Sequence, residues 1–160
     1  MIEEAETLLK RLHNQGVEFV IIGGICNVLH GVTLVTQDLD VCCRFSPENL
    51  HRLEAAVKEL HPVHRQTPQK LPLVLNDRLL AELRNIYLRT DLGVIDCLSE
   101  VAGIGGYDVV LEASVPVALS FGQCRMLSLD ALIRSKEALG REQDLAALRQ
   151  LRAIRERTAQ

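Results

Sequence analysis

Apolar residues recur at helical spacing over residues 2–14, where Ile2, Leu8, Leu9 and Leu12 form one stripe. Glu3, Glu4 and Glu6 come early and Lys10 and Arg11 late, an order that complements a helix dipole. Asn14-Gln15-Gly16 closes the segment, and the β-branched run Val17 to Ile22 predicts a short buried strand. Gly23-Gly24 interrupts that run, and Ile25 to Gly31 predicts a short helix ended by glycine. Asp38 to Cys43 alternates polar and apolar positions, so it predicts a strand with two chemically different faces.

Ser46-Pro47 is a helix start, a capping hydroxyl followed by proline at the first helical position. Leu50, Leu53, Ala56, Val57 and Leu60 then repeat at helical spacing. His61 to Pro72 contains three prolines and reads as a loop, and 77–84 as a short helix. Ile86–Arg89 and Leu92–Leu98 predict two strands around a turn at Thr90-Asp91. A glycine-rich stretch with a short helix spans Gly103 to Glu112, and Val115–Leu119 with Cys124–Leu127 predicts a hairpin around Phe121-Gly122. Ser128 caps a helix through Leu139, and Gly140 separates it from a last helix near 142–156. The expected fold class is α+β, a central mixed sheet flanked by helices. The 160 residues are expected to form one domain (1–160), with C-terminal helices at about 129–156 packing on it.

Composition narrows the function. The chain is 48% apolar and 24% charged with a net charge of -3, which excludes fibrous and disordered classes and disfavours a duplex-binding protein. Three Phe, two Tyr and no Trp leave little for stacking bases of a single strand. The five cysteines (26, 42, 43, 97, 124) form no C-x-x-C pair and sit in apolar segments, the pattern of buried free thiols in a reducing compartment. The acidic start does not resemble a signal peptide. The uncharged stretch Phe19–Gln37 is too interrupted by glycine and polar residues for a spanning helix. The chain is therefore expected to be cytoplasmic, with no membrane partner.

The chemistry-bearing pattern is a glycine pair after a strand followed by two aspartates one residue apart. A strand-to-helix turn at Gly23-Gly24 serves either steric needs or a phosphate placed against free N–H groups. Asp38 and Asp40 project from one face of a strand, about 6.5–7 Å apart. Their repulsion is relieved either by solvent at an edge strand or by magnesium, which takes one or two carboxylates plus phosphate oxygens. Asp96, enclosed in Gly93-Val94-Ile95-Asp96-Cys97-Leu98, needs a partner if buried. Three such acids can hold two metal ions, which activate an attacking hydroxyl and stabilise the leaving oxygens of a phosphoryl group.

These residues resemble the nucleotidyltransferase superfamily with the polymerase-β-like fold: a Gly-Gly turn, a helix, Asp-x-Asp on the next strand (Asp38-Leu39-Asp40) and a third carboxylate (Asp96) on a later one. The wording is most similar to small bacterial members related to the toxin of abortive-infection toxin–antitoxin systems. It includes His30-Gly31, Thr36-x-Asp38-Leu39-Asp40, Leu132-Ile133-x-x-Lys136 and Gly140-Arg141-x-x-Asp144-Leu145. Leu34 stands where an arginine is common, and the second helical domain of many relatives is missing.

The resemblance implies transfer of a nucleoside monophosphate from a nucleoside triphosphate to an acceptor hydroxyl, with pyrophosphate release. Asp38, Asp40 and Asp96 would be the catalytic residues and ligands of two Mg2+ ions. Gly23 and Gly24 would hold the phosphates, and Thr36, Lys136 and Arg141 could reach them. For Thr36 a structural hydroxyl, and for Lys136 and Arg141 a solvated helix-end charge or a pair with Asp144, are the alternatives. Asn27 and His30 are expected to pack or cap, and Cys42 to be an inert core residue. The resemblance further implies an antitoxin-like protein partner, with nucleic acid entering only as an acceptor. The exposed sheet leaves room for a homodimer.

Overall fold

The structure, a computed structural model, describes residues 3–159, so Ile2 of the expected first helix lies outside the described residues. Helix α1 (Glu3–Asn14) leads into strand β1 (Phe19–Ile22), helix α2 (Gly23–Leu29) and strand β2 (Leu39–Cys43). Helix α3 (Pro47–Val57) follows, then the two-residue strand β3 (Val63–His64), helix α4 (Asp77–Glu82) and the hairpin β4 (Asn85–Thr90) with β5 (Gly93–Leu98). A small ribbon, β6 (Glu100–Val101) with β7 (Gly105–Gly106), precedes helix α5 (Tyr107–Glu112). The hairpin β8 (Ser114–Leu119) with β9 (Gly122–Leu127) and helices α6 (Leu129–Leu139) and α7 (Leu145–Thr158) complete the chain.

Seven strands form one mixed sheet in the order β3-β4-β5-β2-β1-β9-β8. β2 lies parallel to β5 and β1 parallel to β9, while the other neighbours are antiparallel. Helices flank it: α1 packs on α3 and α3 on α4, while α6 packs on α7 and α2. This is the expected α+β class with a central mixed sheet.

Local chemistry explains the boundaries. The hydroxyls of Ser46 and Ser128 accept from the N–H of Asn49 and Ala131, satisfying donors that a helix start leaves open. Asn49 is fully buried because it has partners on every side: it accepts from the Glu18 N–H and donates to the Glu18 and Arg44 carbonyls. All five cysteines are free and buried. No described helix is long and apolar enough to cross a membrane.

The segment 61–72, expected to be a loop, carries an edge strand. Val63 and His64 pair with Arg89 and Leu88 of β4, and Val63 also bridges Pro72. Proline confined to the flanks of an edge strand costs no ladder bond, so the three prolines do not prevent pairing. Strand β2 is an inner strand, not the solvent-facing edge strand that was the alternative for Asp38 and Asp40, and Cys42, on the same face as Asp40, is completely buried, as expected of a core residue.

Candidate active site

Register gathers the site. Ile22 of β1 is opposite Asp40 of β2, Asp40 is opposite Asp96 of β5, and Asp96 is opposite Tyr87 of β4. Residues opposite one another share a sheet face, so these four form one row across four strands. The whole row lines a single cavity of about 340 Å3, together with Gly23, Arg65, Lys136 and Arg141. Leu98, Val101, Leu132 and Leu139 supply its apolar part.

Asp40 is the uncompensated charge. Among the described residues it has no ion pair, and its carboxyl is pushed up from 3.8 to about 6. Burial is the largest cause, followed by the charges of Asp96 and Asp38; Arg65 and Lys136 pull the other way. Asp38 lies in the loop just before β2 and is exposed, outside the cavity wall, yet near enough to act on Asp40.

Asp96 is buried and has a partner. Arg65, just past β3, grips both its oxygens: Nε donates to Oδ1 at 2.9 Å and the second guanidinium nitrogen donates to Oδ2. The guanidinium lies 5.3 Å from the centre of the Tyr87 ring, and the hydrogen bond to Asp96 raises its pKa above the ordinary arginine value.

The glycine pair is explained by close approach. Gly23 sits at φ +68°, and a Cβ built there would overlap the Asp40 carboxylate. A Cβ at Gly24 would overlap the Thr36 hydroxyl. Both glycines therefore let the loop at 36–40 pack against the start of α2.

Lys136 and Arg141 converge on Asp144. Lys136 Nζ is 3.2 Å from Asp144 Oδ1, and Arg141 Nε is 2.7 Å from Oδ2. Lys136 is buried, so of the two alternatives read from the sequence it is the pair with Asp144, not the solvated helix-end charge, that the structure shows. Burial pushes Asp144 up, but its bonds to Arg141 and Lys136 outweigh this and hold it below the ordinary carboxylate range. His30 Nε2 donates to the Leu127 carbonyl at 2.7 Å, tying α2 to the end of β9. Asn27 is buried on the same helix with its side-chain oxygen unpartnered among the described residues.

Among the described residues no three His, Cys, Asp or Glu side chains are gathered closely enough to hold one ion. A half-buried carboxylate without a cation, next to a second one two residues away, nevertheless fits magnesium, which needs only one or two carboxylates and completes its shell with phosphate and water.

No family model matches the sequence, and no curated protein matches it. Solved structures do. A candidate nucleotidyltransferase from Thermotoga maritima is 18% identical, covering 89% of this chain and 86% of that one, with a TM-score of 0.56. The chain has the nucleotidyltransferase fold. ANT(2'')-Ia in complex with adenylyl-2''-tobramycin is 16% identical, covering 94% of this chain and 91% of that one, with a TM-score of 0.55. The solution structure of the antibiotic-resistance factor ANT(2'')-Ia is 15% identical, covering 92% and 78%, with a TM-score of 0.54. Within this fold, Arg65 and Tyr87 are among the cavity residues that the sequence did not reveal. A buried aspartate at 96 signals that some cation must meet it, but not which of 18 lysines and arginines does so.

Proposed function

We propose that the chain is a magnesium-dependent nucleotidyltransferase, moving a nucleoside monophosphate from a nucleoside triphosphate to an acceptor hydroxyl. One observation carries this reading: a single cavity is lined both by paired carboxylates, Asp40 beside Asp96, and by the cations Lys136 and Arg141. Nucleotidyl transfer needs both, one carboxylate (Asp40) toward the metal and one (Asp96) toward the acceptor proton, with cations toward the phosphates.

In this reading Asp38 and Asp40 hold the metal. Lys136 and Arg141, kept in place by Asp144, attract the phosphate chain. Gly23 and Gly24 offer backbone N–H groups to it, and Thr36 adds its hydroxyl. Magnesium supplies neutralisation of charge developing on the phosphate oxygens. Asp96 accepts the proton of the acceptor hydroxyl through a lone pair that the Arg65 fork leaves open. The acceptor oxygen bonds to the α-phosphorus as the bond to the bridging oxygen breaks, and pyrophosphate leaves. Apolar Leu98, Val101 and Leu132 exclude water that would compete with the acceptor.

The test is incubation with each α-labelled nucleoside triphosphate, magnesium and a cell extract. One class of acceptor is expected to be labelled by the chain and not by its Asp40→Asn variant. Labelling by the variant equal to that of the unchanged chain would overturn the reading. If the label coincides with growth arrest on expression, the transfer is that of a toxin held in check by an antitoxin-like protein.

A further inference from the structure

Arg65 bonds the carboxylate that a second metal ion would have to use. Its fork bonds both oxygens of Asp96, the one acid of the three with a side-chain partner among the described residues. The grip is built in, because backbone and ring both fix the side chain. The Arg65 N–H donates to the Tyr87 carbonyl at 3.1 Å, the Arg65 carbonyl accepts from Lys70 Nζ at 2.6 Å, and the guanidinium lies over the Tyr87 ring. Arg65 and Asp96 are only 27% and 11% exposed, so solvent screens this pair little. A cation shared by Asp40 and Asp96 would have to displace the fork or sit against its positive charge.

Charge counting agrees. Asp38, Asp40 and Asp96 carry three negative charges and Arg65 removes one, leaving the charge of one divalent cation. Lys136 and Arg141 are already engaged with Asp144 and leave one positive charge for phosphate.

We propose that Arg65 is the permanent counter-ion of Asp96 and that the site binds one divalent cation, at Asp38 and Asp40, rather than two. The inference rests on the metal-site reading above. It makes Arg65 a positioning residue: it neutralises and orients Asp96 instead of touching the metal.

Titration with Mn2+, with free Mn2+ read by electron paramagnetic resonance, tests it without any turnover. The unchanged chain is expected to bind one Mn2+, and Asp40→Asn none. Arg65→Met is expected to bind two, the second lost again when Asp96→Asn is added. Asp96→Asn alone is expected to keep one ion, which tests the idea without altering Arg65. Two ions bound by the unchanged chain, one by Arg65→Met, or none by Asp96→Asn would each overturn the inference while leaving a metal site in place. No ion bound by the unchanged chain would overturn the metal-site reading itself.

Discussion

The carboxylate of Asp40 fills the space that a side chain at Gly23 would occupy, at a backbone φ of +68° that disfavours any other residue. The acid at the centre of the site is therefore locked to the strand-to-helix turn. Gly23→Ala is expected to lose about 1–3 kcal/mol of stability, from overlap and left-handed strain together. Combining it with Asp40→Ala should return part of that loss, leaving the backbone strain and the tight approach to the Asp40 Cβ. Urea unfolding of the two single variants and the double variant measures the coupling; strictly additive losses would show that the two residues do not compete for this space.

Asp40 also makes stability depend on pH. Its carboxyl titrates at about 6 in the folded chain against an ordinary 3.8, so between these values the folded chain holds more protons than the unfolded one. Stability contributed by this group is then present below pH of about 4 and lost as pH rises to about 6. Asp40→Asn removes the penalty. Without divalent ions the variant is expected to be about 3 kcal/mol more stable than the unchanged chain at pH 7.5, and close to it near pH 4. Unfolding curves at the two pH values check this, and a variant no more stable at pH 7.5 would contradict it.

The cluster at the C-terminal end of α6 separates a buried charge from an exposed one. The Lys136 and Asp144 side chains are 6% and 9% exposed, whereas that of Arg141 is 47% exposed. Asp144→Ala leaves Lys136 buried without a partner and is expected to cost about 3–5 kcal/mol. Arg141→Ala leaves the Lys136 pair intact and is expected to cost less than about 1 kcal/mol. Equal losses in thermal unfolding would mean that Arg141, not burial, governs the cluster.

Much of this architecture was legible because it is written locally. Ser46 and Ser128 announce helix starts, Gly140 a helix end, and the β-branched run before Gly23 a strand. Asp38 and Asp40 read as a pair on one strand face and Asp96 as a third acid, whereas Asp38 lies in the loop before β2 and Asp40 faces Asp96 instead. That Asp40 and Asp96 stand directly opposite depends on the parallel register of β2 and β5, which is set by packing between residues 56 positions apart. The edge strand at Val63–His64 was hidden by neighbouring prolines, and with it Arg65. An ion pair made by residues 31 positions apart leaves no periodic trace in the chain. The burial of Lys136 was likewise unreadable, because a lysine one turn from a helix end is ordinarily solvated.

The most direct measurement compares label placed on the α- and on the γ-phosphorus of the triphosphate that the chain uses. If Asp40, Asp96, Lys136 and Arg141 line a nucleotidyl-transfer site, α-label passes to the acceptor and γ-label leaves as pyrophosphate, and both signals vanish in Asp40→Asn. γ-Label found on the acceptor, or α-label transferred undiminished by Asp40→Asn, would contradict the account.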